Sequence, residues 1–186
     1  VYYVLGCFGP EDADRAAVGE VLNTEIDWQT GSRFDEPPPT PVLVELNPDF
    51  LPGVMVPMFD SGVLLFSEPM LAALADAGVD NLDVYDAILT NPTTGEQHTN
   101  YKAVNVIGAL AAADLGKSQW AAPSGTPIID TDFDSLTIDE TKTGGALMFR
   151  LAECVTAIVV HEKVRAQLER QGIPYLDFTD PQDFVG

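Results

Sequence analysis

Apolar and polar positions along the chain follow two periods, and the changes between them mark its elements. From Asn100 to Trp120 (NYKAVNVIGALAAADLGKSQW), Tyr101, Val104, Val106 and Ile107 form a β-branched and aromatic run that suits a buried strand. Ala109 to Ala113 contains no β-branched residue and is expected to turn helical. Asp114 breaks the apolar run, and Gly116, Lys117 and Ser118 predict a turn returning the chain to Trp120. Val1 to Cys7 predicts a first strand, closed by Gly9 and Pro10. Glu11, Asp12 and Asp14 ahead of Ala16, Ala17, Val18, Val21 and Leu22 predict a short helix with acidic residues at its positive end. Asn23 to Pro41 has no period, and Pro37, Pro38, Pro39 and Pro41 favour an extended surface connection. Val42, Leu43, Val44 and Leu46 form a short apolar run, after which Pro48, Pro52 and Pro57 interrupt any regular element.

A strand, helix, strand pattern then occurs twice. Val63 to Phe66 predicts a buried strand, Ser67 a helix cap, Pro69 a first-turn residue, Met70, Leu71, Leu74 and Ala77 an inward stripe, and Gly78 the stop. Leu82, Val84, Ala87 and Leu89 resume an extended period. Near the end of the chain, Ala157 to Val160 predicts a strand, Val164 and Leu168 a helix, Gly172 its stop, and Tyr175, Leu176 and Phe178 renewed extension. Glu68, Leu74, Gly78 and Leu82-Asp83 match Glu162, Leu168, Gly172 and Leu176-Asp177 at one spacing of 94 residues, whereas Met58-Phe59 precedes Met148-Phe149 by 90. Two similar units, 58 to 91 and 148 to 181, are expected to pack around the strand carrying Val104 and Val106, unless the match is two uses of a common motif. Thr126 to Ile138 predicts short aspartate-rich strands. Runs of strands with few helices favour an α+β fold, a single domain over 1–186 with a mixed or antiparallel sheet.

Charge changes the picture most. The chain of 186 residues carries 29 acidic and 9 basic side chains, a net charge of −20. Such a surface repels nucleic acid and anionic membranes; it either steers a basic protein partner or only keeps the chain soluble, and charge alone does not choose between the two. No apolar run approaches the roughly 20 residues needed to cross a bilayer, and VYYVLGCFGP lacks the basic start of a signal peptide, so a cytoplasmic protein is expected. Cys7 and Cys154 each sit in an apolar run and are expected as core thiols, not a disulfide.

Recognisable catalytic chemistry is scarce. His98 and His161 have no Cys, His or carboxylate at ligand spacing, and there is no nucleophile elbow, phosphate-cradling loop or paired-histidine helix. No catalytic residue, metal or cofactor is expected. Asp114 with Ser118 reads as a capped turn in preference to a catalytic pair. The remaining cluster is Asp130, Asp132 and Asp134, succeeded by Asp139 and Glu140. Its spacing copies the first three ligands of a calcium loop, but Ser135 stands where glycine is needed and Thr141 where a bidentate glutamate belongs. Alternate aspartates on a strand also share one face, so an exposed acidic surface is the expectation and calcium binding the alternative.

The order of YYVL at the start, NYKAVNVIGALAAADLGKS in the middle and Phe149-Arg150 leading to VHEKVRAQLERQGIPYLDF resembles the bacterial polymorphic-toxin immunity proteins of the family 11 type. Tyr101, Val104, Asn105, Val106, Asp114 and Ser118 occupy that family's middle motif, and Phe149, Arg150, Val160, Glu162, Leu168 and Gly172 its late one. Ala152-Glu153-Cys154 departs from it, where a more basic, glycine-containing segment belongs. The resemblance implies a non-catalytic cytosolic protein that binds and neutralises a cognate toxin, and it assigns no catalytic residues. A basic toxin would meet the acidic face formed by Asp130, Asp132, Asp134, Asp139 and Glu140. A calcium-binding or developmental surface protein using the same cluster is the alternative.

Overall fold

A computed structural model describes residues 1–186. Where the local signals agree with each other, the elements form as the pattern predicts. Helix α1 (Glu68–Ala77) starts where the Ser67 hydroxyl accepts the Met70 N–H and Pro69 fills the first turn, and it ends on Gly78 in the left-handed region at φ 95°. Met70, Ala73 and Leu74 form its buried face. Helix α2 (Glu162–Arg170) buries Val164, Gln167 and Leu168, and the His161 ring nitrogen Nδ1 accepts the Lys163 N–H at its start.

Two sheets hold these helices. A seven-stranded sheet runs in the order β2 (Val18–Val21), β3 (Val42–Leu46), β6 (Leu82–Thr90), β8 (Tyr101–Val106), β5 (Leu64–Ser67) and β4 (Met58–Asp60), with β7 (Gln97–His98) also paired to β6. A five-stranded sheet runs β14 (Leu176–Thr179), β1 (Tyr2–Cys7), β13 (Cys154–His161), β12 (Met148–Leu151) and β9 (Ala109–Leu110). Only the β3–β6 and β12–β9 pairs are parallel, so the architecture is α+β with mixed sheets in a single domain. Leu5, Ile158 and Val160 from one sheet, Phe66, Val104 and Val106 from the other, and Leu74 and Leu168 from the helices share one core. Each such side chain contributes roughly 1.5–3 kcal/mol by leaving water. A smaller core lies under Tyr2, Val4, Phe149 and Val159, covered by Ala112, Ala113, Phe133 and Leu136.

The 94-residue match is a duplication of structure. In the first unit the β4–β5 hairpin leads through α1 to β6, and β8 inserts antiparallel between β5 and β6. In the second, β12–β13 leads through α2 to β14, and the inserted strand is β1, from the start of the chain. Registers coincide: Met58 faces Phe66 as Met148 faces Val160, Tyr101 faces Ser67 as Tyr2 faces His161, and Leu82 faces Val106 as Leu176 faces Cys7. The buried Tyr101 hydroxyl donates to the Val56 carbonyl (2.8 Å), and Tyr2 donates to the equivalent Ala146 carbonyl (3.0 Å). Val79 N–H reaches the Leu74 carbonyl (3.0 Å) as Ile173 N–H reaches Leu168 (3.1 Å), closing both helices in the same way. Three residues separate Asp60 from its partner Leu64 and seven separate Arg150 from Ile158, which accounts for the change of spacing from 90 to 94.

Three expectations are corrected. The two units do not share the strand of Val104 and Val106; that strand centres the first, and β1 centres the second. Residues 11–22 form no helix, because Val18–Val21 pairs with β3 and Ala16 N–H bonds the Val54 carbonyl (2.8 Å). Ala109–Ala113 is extended, since Ala109 and Leu110 pair with Arg150 and Leu151 and Ala113 bridges Ile138. In both places pairing across the fold overrides a weak local preference.

Candidate functional site

The aspartate-rich stretch forms one side of a two-stranded ribbon, β10 (Gln119–Ala121) against β11 (Asp132–Ser135). Phe133 points inward and is 1% exposed, so period-two alternation turns Asp132 and Asp134 outward. Trp120 stands opposite Phe133 and anchors its indole N–H on the Leu115 carbonyl (3.1 Å). The ribbon is held to the five-stranded sheet by Thr131 N–H on the Glu153 carbonyl (2.9 Å) and to the chain's last turn by Leu136 N–H on Pro181 (3.0 Å).

The structure divides the five predicted acids into two groups. Asp130, Asp132 and Asp134 are exposed, and none forms an ion pair. Asp130 accepts a hydrogen bond from the Ser124 hydroxyl (3.1 Å). Asp139 instead caps a short 3-10 turn, accepting the Thr141 N–H and hydroxyl, with Lys142 3.7 Å away. Those bonds, the Thr141 hydroxyl first, hold its carboxyl below the usual range. Glu140 lies 3.3 Å from the Val1 amino nitrogen. Asp139 and Glu140 therefore belong to the turn, and the outward face consists of the first three.

Residues that the pattern did not single out complete this surface. Ile128 and Ile129 precede Asp130 and are 55% and 62% exposed. Ile129 has φ 72°, a conformation that a β-branched residue adopts only under strain. Three main-chain bonds hold it there: Ile129 N–H to Ala152, Val155 N–H to Ile129, and Asp130 N–H to Ile128. The sequence signal for this was two adjacent isoleucines inside a polar stretch.

Ser118 donates its hydroxyl to the Asp114 main-chain carbonyl (2.8 Å), while the Asp114 carboxylate pairs with Lys117 (2.8 Å), so the two side chains make no nucleophile and base. The Lys117 hydrogen bond lowers the Asp114 carboxyl below its ordinary range. His98 lies on the seven-stranded sheet, and His161 packs edge-on against Tyr2 on the other. Both cysteines are buried free thiols. No three His, Cys, Asp or Glu side chains converge as a metal site requires, and two of the three calcium-like positions, Asp132 and Asp134, lie on an extended strand.

Two charged groups are buried. Arg150 is 0% exposed; its Nη1 donates to the Val155 carbonyl (2.8 Å), Nη2 lies 3.9 Å from Asp60, and Nε and Nη2 lack hydrogen-bond partners. Burial raises the Asp60 carboxyl above its usual range, and Arg150 opposes the rise. Glu153 is likewise raised by burial, and its Oε2 has no partner. Burial also pushes the Tyr101 hydroxyl up to about 12, keeping it a hydrogen-bond donor. No helix is long and apolar enough to cross a membrane. No protein-family model matches the chain, and no curated protein matches it.

Proposed function

We propose that this protein is a non-catalytic immunity protein that binds a basic cognate toxin through the outward face of the acidic ribbon. The observation that carries this reading is the set of three unpaired carboxylates, Asp130, Asp132 and Asp134, placed directly after two exposed isoleucines on a rigid strained turn. Charge of one sign raises encounter rates with a basic partner by as much as ~10- to 1000-fold at low salt, and exposed apolar side chains supply the anchors that slow dissociation. The order of motifs shared with the immunity proteins supports the same reading, as does the net charge of −20.

The test is association kinetics with the toxin encoded beside the gene, at two salt concentrations, for the wild type and for Asp130→Asn, Asp132→Asn, Asp134→Asn combined. The neutralised variant keeps its fold, because these side chains are exposed and only Asp130 accepts a hydrogen bond, from Ser124. Its on-rate falls and its salt dependence weakens, with a smaller change in off-rate. Unchanged on-rates would remove this face from the mechanism, and absence of binding by the wild type would remove the immunity reading for that toxin.

A further inference from the structure

The first excursion from the duplicated scaffold, residues 8–15, encloses a cleft of about 590 Å³ together with Phe50. We propose that this cleft is a second docking site, for a protein segment that carries lysine or arginine next to an apolar side chain. Its rim is formed by two phenyl rings that the fold leaves in water, Phe8 at 73% and Phe50 at 47% exposure. Between them stand Glu11, Asp12 and Asp14, all exposed and none in an ion pair. Arg15 is the one cation in the lining, and its Nη1 is committed to the Cys7 carbonyl. That bond to a neutral carbonyl holds the guanidinium in place without cancelling its charge, so three carboxylates face one cation and the cleft stays negative.

The walls are fixed before any partner arrives. Phe8 N–H bonds the Tyr175 carbonyl (3.1 Å), Val54 N–H the Asp14 carbonyl (2.9 Å) and Ala16 N–H the Val54 carbonyl (2.8 Å), which pins both ends of the loop. Gly53 permits this approach, since a Cβ there would lie 2.5 Å from Ala16 N and 2.4 Å from Phe50 O. A preorganised concavity of this size loses little ordering entropy on binding. Its chemistry selects the occupant: exposed phenyl faces attract guanidinium and ammonium groups as well as aliphatic carbon, and the carboxylates exclude acidic segments. The inference shares with the ribbon only the sign of the partner's charge, and either surface can act without the other.

The test uses the full chain and a synthetic peptide of alternating arginine and leucine, with a glutamate-for-arginine peptide as control, at physiological salt. Amide resonances of residues 8, 9, 11–15 and 50 are expected to shift most with the basic peptide and not with the acidic one. Phe8→Ser is expected to weaken binding about tenfold while leaving all charges in place. Because Phe8 is mostly exposed, its melting temperature stays that of the wild type; Glu11→Gln with Asp12→Asn is a second variant that leaves the rings untouched and is expected to weaken binding in the same way. The ribbon variant lacking Asp130, Asp132 and Asp134 retains peptide binding at the cleft. Equal affinity for Phe8→Ser, or shifts scattered over the surface, would overturn the cleft. Loss of binding in the ribbon variant alone would overturn the cleft and support the ribbon, and unchanged binding in every variant would count against both surfaces.

Discussion

Asp60 and Arg150 occupy equivalent positions in the two units, opposite Leu64 and Ile158, and they face each other across the core. At 3.9 Å, two unit charges attract by roughly 4 kcal/mol at an effective dielectric of 20. Against this stands the desolvation of an arginine that is 0% exposed, while the Asp60 side chain keeps 19% of its surface. Such a pair contributes little net stability yet is costly to break on one side. Asp60→Asn removes one carboxylate from the guanidinium but also the cost of burying that carboxylate's charge, and Asp27 still faces Arg150, so it should change stability by no more than about 1 kcal/mol at pH 7.5. Arg150→Met leaves the carboxylate without its cation and removes the hydrogen bond to the Val155 carbonyl, and should cost more, about 2–3 kcal/mol at pH 7.5. The double variant should return to within about 1 kcal/mol of the wild type, a coupling of about 1–2 kcal/mol. Urea unfolding of the four proteins measures it. Additive single effects, with coupling under about 0.5 kcal/mol, would refute the interaction between the two charges.

Val106→Asp should leave no folded protein by circular dichroism, since Val106 is 0% exposed and an unpaired buried carboxylate costs several kcal/mol of a total near 5–15. Gly78→Ala and Gly172→Ala should each lose about 1 kcal/mol to the left-handed conformation, since a Gly78 Cβ would make only an ordinary contact with Leu147 Cδ1 at 3.4 Å and Gly172 faces open space. Asp60 and Glu153 have carboxyl groups raised by burial, so the stability they contribute is complete below their unfolded range and lost as pH rises through the raised values. Asp114 and Asp139 are lowered, and their contribution disappears only as pH falls through those lower values. The melting temperature should therefore rise on acidification from pH 7.5 towards the ordinary carboxylate range and fall below it; Glu153→Gln should raise it at pH 7.5 and flatten the acid gain, and a profile unchanged by Glu153→Gln would remove that residue from the effect.

How much of the fold was legible in the sequence depended on the range of each interaction. The two helices were legible because cap, stripe and stop lie within a dozen residues, as Ser67, Leu74 and Gly78 show. The duplication was half legible: the matching hairpin, helix and strand share one chain order, but the strand that completes the second unit is β1, far from the rest in sequence. Nothing local distinguishes Val1 to Cys7 as the counterpart of Tyr101 to Val106. The expected helix over 11–22 failed because Val18, Glu20 and Val21 pair with β3, with Gly19 at the irregularity between them, where a Cβ would crowd Asn47. Period-two alternation placed Asp132 and Asp134 correctly around Phe133, while the capping role of Asp139 and the pairing of Asp60 with Arg150 depended on contacts no pattern encodes.

The central claim, that the acidic ribbon is the toxin-binding face, is tested most directly by amide hydrogen exchange of the full chain with and without the toxin encoded beside its gene. Binding at the ribbon predicts slowed exchange across residues 128–135, with little change in the buried strands β5 and β8, which already exchange slowly. Protection confined to the opposite sheet, with residues 128–135 exchanging as in the free protein, would contradict it.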